Sequence, residues 1–208
     1  WKAAGYAANL YPYVPSEFVF VHAFYEPSAI IEADIPAIIS SRTKGISDQL
    51  SLIEKEFREF DLHPDSSVKT VARYGVASNV IQDIAREEHA EVIIMGTTGA
   101  STNENVVLGS TAMAVLETSL CPVLCIPADT KLTPPHHIMF ATDHNYISNL
   151  NELTFLKEIA ELQKAKISIV NIKAITPIPV SANHQVEGTV LHNFLGNVEH
   201  TFFEQQSA

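Results

Sequence analysis

A chain of 208 residues with 46% hydrophobic and 18% charged side chains suits a globular protein with a sizeable core. It is long for one small domain and short for two complete α/β domains. The formal charge of −11 excludes broad contact with nucleic acid or anionic lipid, which repel an acidic surface. No run reaches the roughly 18 apolar residues of a membrane span.

The first ten residues, WKAAGYAANL, have helical period. EFVFVHAF (17–24) predicts a strand, and ISDQLSLIEKEFREF (46–60) an amphipathic helix. SVKTVARYG (67–75) is a strand whose polar alternation places it near a sheet edge. Ser78 is the expected cap of the next helix, ASNVIQDIAREEHA, whose Val80, Ile81, Ile84 and Ala85 form one stripe. EVIIMG (91–96) is continuously apolar, the pattern of a parallel strand buried on both faces. A glycine-rich loop, a helix at about 110–119 and the strand PVLCIP follow. This alternation of strand and helix predicts parallel βαβ units in a doubly wound α/β sheet.

Cys121 and Cys125 lie in CPVLCIP with no further metal ligands nearby. Free cysteines in such a strand serve as small buried hydrophobes, and their scarcity suits a reducing cytoplasm. ADTKLTPPHH (128–137) has the composition of a linker, and Pro134-Pro135 interrupts regular structure. The pattern then restarts with HIMFATDH as a strand, NLNELTFLKEIAELQKA as a helix and KISIVNIKA as a strand. AELQKAKISIVNI parallels YAANLYPYVPSEFVFVHAF, with Asn171 opposite His22, so an internal repeat is expected. The expected organisation is a first domain over 1–128, a linker over 129–137 and the front of a second domain over 138–208.

Both ends look cut. Trp1 falls inside a helical pattern, and LHNFLGNVEHTFFEQQSA predicts a terminal amphipathic helix that nothing follows. Asp143 precedes Asn171 by 28 residues, and 28 residues before His22 lies ahead of Trp1. The first copy's opening strand would then precede this chain, and marginal stability is the expectation.

The stretch MGTTGASTNENVVLGST (95–111) carries the chemistry. Gly96 directly follows an apolar strand, and in doubly wound sheets ligands bind beyond the carboxyl ends of the strands. Gly96 and Gly99 allow close backbone approach, while Gly109-Ser110 opens a helix whose free N–H groups attract anions. Ser110 and Thr111 add hydroxyl donors. The Gly-Lys-Ser/Thr ending of a nucleotide-hydrolysing P-loop is absent. The plainer reading is a flexible surface loop before a helix that needs a cap. Thr97, Thr98, Ser101, Thr102 and Asn103 suit loop solubility better than ligation.

The spacing G-x₂-G-x₉-G-S, over Gly96, Gly99, Gly109 and Ser110, resembles the ATP-binding subclass of the universal stress protein family. FVFVHAF resembles that family's second strand, EEHAEVIIMGTTG its helix-into-fourth-strand junction, SLCPVLCIP its closing strand, and HIMFATDH the opening strand of a tandem copy. The resemblance implies a Rossmann-like, five-stranded parallel sheet of order 3-2-1-4-5 in tandem copies, both incomplete in this chain. It implies ATP with Mg²⁺ as cofactor. Adenine would lie near His22 and Ala23; ribose and phosphates would lie on Met95, Gly96, Gly99, Gly109, Ser110, Thr111 and Ala112. In the second copy Thr142 and Asp143 match the acidic loop after the first strand. Asp143 fits either a Mg²⁺ ligand through phosphate or an N-terminal helix cap.

The implied protein is a cytoplasmic stress-response protein whose ATP is a regulatory ligand or is hydrolysed only slowly. No general base, γ-phosphate lysine or arginine finger stands out. Arg73 and Arg86 are assigned to solubility, and Glu87-Glu88 to a solvated helix end. The alternative is a protein-interaction module that pairs through the PVLCIP edge, as a homodimer, an intramolecular tandem pair or with an unknown protein partner. An enzyme of the wider adenine-nucleotide group fits less well, because His-x-Gly-His and Ser-Gly-Gly are both absent. No metal site is expected from the nine histidines. His184, His192 and His200 recur every eight residues, which drifts about 80° around a helix.

Overall fold

The computed structural model describes residues 1–25, 35–98, 108–142, 150–173 and 184–206. They form two compact units, Trp1–Thr133 and Pro134–Ala208.

The first unit runs α1 (Lys2–Leu10), β1 (Glu17–Phe24), α2 (Ile35–Phe57), β2 (Ser67–Tyr74), α3 (Ala77–Glu87), β3 (Ile93–Gly96), α4 (Ser110–Thr118) and β4 (Val123–Ile126). β1 pairs with β2 in parallel, from Glu17 opposite Ser67 to Phe24 opposite Tyr74. β3 pairs with β4 in parallel, from Ile93 opposite Val123 to Gly96 opposite Ile126. The full five-stranded order 3-2-1-4-5 is not seen among the described residues. Two two-stranded sheets stand in its place.

One consequence overturns a reading of the sequence. β3 is not buried on both faces: Ile93 is buried, Ile94 and Met95 are half-buried and Gly96 is exposed. An apolar strand needs a neighbour on each side and a layer on each face to be enclosed, and among the described residues β3 has one strand neighbour. Burial pushes the Cys125 thiol up from its ordinary pKa, yet Cys121 and Cys125 are half-buried rather than enclosed as expected.

α2 packs on β1 and β2, α3 meets β1 and α4, and α1 lies against β3 and β4. The centre of the α2 contact is Phe57, fully enclosed. Its ring stands edge-on to Phe18 (5.0 Å) and Phe20 (4.8 Å), residues that share one face of β1. Val68 and Ala8 complete this cluster. In α3, Val80 and Ile84 are buried, as the stripe predicts. Ser78 does not cap α3: the helix begins at Ala77, with Val76 in the cap position and no side-chain cap bond. The chain has already turned at Gly75, whose φ of +148° lies outside the range side-chain-bearing residues favour.

The second unit runs β5 (His137–Thr142), a 3₁₀ turn (Leu150–Leu153), α5 (Thr154–Gln163), β6 (Lys166–Lys173), α6 (His184–Leu195) and β7 (His200–Gln206). Its strands form one parallel sheet of order β5-β6-β7. Ile167 and Ile169 of β6 meet Ala160, Leu191, Leu195 and Val198 in a closed core. Between them Ser168 is buried, its hydroxyl 2.6 Å from Nε2 of His137. The C-terminal stretch departs from the expected single helix. α6 ends at Leu195, Gly196 adopts φ +56°, and the chain re-enters the sheet as β7. A left-handed glycine is a common helix stop, and HTFFEQ after it has the aromatic and β-branched content of a strand.

Candidate functional site

β3 delivers Met95 and Gly96 to its carboxyl end, and α4 starts at Ser110. The two ends of the intervening loop are tied together. The N–H of Gly109 donates to the carbonyl of Thr97 (2.7 Å), and the N–H of Thr97 donates to the carbonyl of Ile126 (3.2 Å). The motif thus closes on itself across thirteen residues, with its base fixed to the end of β4. Sequence reasoning assigned Thr97 to loop solubility. Its backbone is the closing link instead, a role that side-chain chemistry cannot signal.

Gly109 is the N-terminal cap residue of α4, and among the described residues no side chain caps the helix. The first turn holds no acidic residue, and Met113 N–H bonds back to Gly109 O (2.9 Å). The N–H groups of Ser110, Thr111 and Ala112 precede that first helical bond, where an α-helix leaves donors for an outside acceptor. Ser110 and Thr111 are exposed, while the Ala112 side chain is buried and leaves only its backbone for a ligand. Backbone donors, two hydroxyls and a helix N-terminus together suit an oxyanion.

The glycines are not equivalent. A Cβ at Gly96 would meet nothing nearer than Thr98 O at 3.7 Å, an ordinary contact. Gly109 has φ −72°, open to any residue. Gly96 therefore has no steric need of glycine in the fold. Gly99 lies outside the described residues.

His22 is exposed and Ala23 half-buried near the end of β1, opposite Ala72 and Arg73 of β2. Among the described residues they share no sheet with Met95 and Gly96, so no described strand pairing joins the two halves of the expected site. Thr142 ends β5, opposite Asn171 in β6; Asp143 lies outside the described residues.

The cations once assigned to solubility are engaged. Arg73 donates to both carboxylate oxygens of Glu87 (2.8 and 2.6 Å), and this fork holds Glu87 below the usual carboxylate range. Arg86 pairs with Asp83 (3.1 Å), and Lys69 with Glu88. Glu87 and Glu88 therefore stitch α3 to β2 and are not merely solvated. Any anion held at α4 would be met by dipoles rather than by these side chains. Among the described residues, no three His, Cys, Asp or Glu side chains gather as a metal site. No described helix is long and apolar enough to cross a membrane.

Residues 13–127, more than half of the chain, match the family model described as the Universal stress protein family. The chain belongs to the universal stress protein family. This universal stress protein is 29% identical over 136 residues to universal stress protein MJ0531 of Methanocaldococcus jannaschii, covering 62% of this chain and 76% of that one. It is 39% identical over 61 residues to universal stress protein Sll1654 of Synechocystis, covering 29% of this chain and 39% of that one. A universal stress protein from Archaeoglobus fulgidus superposes on all of this chain and 72% of its own with a TM-score of 0.69, at 14% identity. That likeness establishes the shared Rossmann-like α/β fold, and family membership makes this a stress-response protein.

Proposed function

We propose that this universal stress protein binds ATP, with Mg²⁺, along the segment from β3 to α4. The observation that supports the reading is the Thr97–Gly109 hydrogen bond. It sets the start of α4 beside the end of β3, where Gly96 leaves room for close approach. In this reading the phosphates rest on Gly96, Gly99 and Gly109 and on the N–H and hydroxyl groups at Ser110, Thr111 and Ala112. The adenine takes backbone groups at His22 and Ala23, and Met95 borders the ribose. Thr142 and Asp143 serve the same end in a second copy, with domains at 1–128 and 138–208 in tandem. Nucleotide then acts as a regulatory ligand, hydrolysed slowly at most, because the motif has no lysine or general base to stabilise phosphoryl transfer. The working compartment is the cytoplasm.

One observation favours pairing as a second role. Met113 and Leu116 of α4 are 45% and 43% exposed, and Leu120, past the extended Ser119 that ends the helix, is 86% exposed. Exposed apolar residues on and just after α4 suit a homodimer, a tandem partner or another protein.

One experiment separates the readings: calorimetric titration of ATP with Mg²⁺ into the chain, with Gly109→Val alongside and sedimentation of both. The φ of Gly109 admits valine, so the variant tests approach to the loop and not backbone strain. Micromolar binding, about −8 kcal/mol, weakened at least tenfold in Gly109→Val is expected. A folded wild-type chain that takes up no ATP would overturn the nucleotide reading. Concentration-dependent association in that same sample would leave pairing as the function.

A further inference from the structure

The sequence places His192 and His200 on one helix, where their spacing keeps them apart. The structure brings them together. α6 ends at Leu195 and the turn at Gly196 folds β7 back, so His200 begins a strand beside the helix that carries His192. Nδ1 of His192 lies 2.8 Å from Nε2 of His200. Nδ1 of His200 lies 2.6 Å from the carbonyl of Val198. A carbonyl only accepts, so that nitrogen carries the proton and the Nε2 of neutral His200 presents a lone pair. The Phe202 ring stands edge-on to the His200 ring (5.8 Å, 84°).

We propose that His192 and His200 form a two-imidazole site for a divalent transition-metal ion, the metal replacing the proton the two rings share. Metal-bound histidines typically hold their second nitrogen against a carbonyl or carboxylate, which fixes tautomer and ring direction. Val198 does this for His200. Two donors about 2.0 Å from one ion stand about 2.8 Å apart at a right angle and about 3.3 Å apart in a tetrahedron. At 2.8 Å the two nitrogens face each other as a hydrogen-bonded pair, and a turn of the exposed His192 ring would bring both lone pairs onto one ion such as Ni²⁺ or Cu²⁺. His192 is exposed and His200 half-buried, so an ion enters from solvent and water completes its shell. The bound ion would pin the end of α6 to the start of β7.

The test is calorimetric titration of NiCl₂ into the full chain in a non-chelating buffer, for wild type, His192→Ala, His200→Ala and the control His136→Ala. One Ni²⁺ per chain is expected, weakened at least tenfold in each of the first two variants and unchanged in the control. Equal binding in wild type and His192→Ala would overturn the proposal, as would loss of the same site in His136→Ala. His200 also bonds the backbone, so its variant is judged by circular dichroism before titration. His192 is exposed, and its variant alone decides should His200→Ala unfold.

Discussion

At the scale of single residues, two glycines at strand ends have opposite reasons to be there. Gly75 combines φ +148° with a Cβ position only 2.8 Å from Cγ2 of Val80, a buried side chain of α3. Any side chain there strains the backbone and pushes on the core. Gly75→Ala should destabilise the first unit by about 1–3 kcal/mol. Gly96 has neither constraint, so Gly96→Ala should change stability by about 0.5 kcal/mol or less. Urea melts of the two variants check the contrast. A large loss at Gly96 would mean that the fold, not a ligand, requires that glycine. The sequence marks both glycines equally, because backbone dihedrals and a neighbour five residues along do not appear in it.

At the scale of elements, the α2 contact with β1 turns on one side chain. Phe57 is fully enclosed by Phe18, Phe20 and Phe60, with ring centroids 5.0, 4.8 and 5.5 Å away. Phe57→Ala should cost about 3–5 kcal/mol, transfer and cavity terms together. The measure is the urea midpoint at unchanged slope. A loss under 1 kcal/mol would mean the surrounding rings collapse into the space. Elements of strong period were legible in the residues: β1 forms over the stretch that EFVFVHAF predicts, and α3 buries Val80 and Ile84. What failed was the C-terminal stretch, where helical period continues as far as Leu195 and then meets Gly196. A left-handed glycine ends a helix only if tertiary packing rewards the reversal, and here β7 gains a full ladder against β6.

At the scale of the whole molecule, the formal charge of −11 opposes compaction at neutral pH, and acidification toward the pI of about 5.2 relieves it. Below that a second effect takes over. Arg73 depresses the Glu87 carboxyl below its ordinary value of 4.5. Above pH 4.5 the carboxyl is ionised whether folded or unfolded, and the pair stabilises fully. As pH falls from 4.5 through the folded value, the unfolded chain takes up the proton first and that stability is lost. Thermal melts between pH 7 and 3 should fall on the acid side, and less steeply for Glu87→Gln. The difference should be small and salt-sensitive, since both partners are solvent-exposed. An identical acid limb in the variant would assign the fall to other carboxylates.

The amino-acid order by itself determined the alternation of parallel strands and helices, the glycine loop between an apolar strand and a helix, and the family resemblance these carry. Such features are local: a period of two or 3.6, or a spacing of glycines, sits within a few dozen residues. Only the tertiary structure decided that the first unit's strands stand as two separate pairs. It also decided that Thr97 and Gly109 close the loop, that Arg73 and Lys69 are bound to α3, and that His192 meets His200. Each of these joins groups that chain reversal or packing brings together, and a distance through space is not encoded by a distance along the chain.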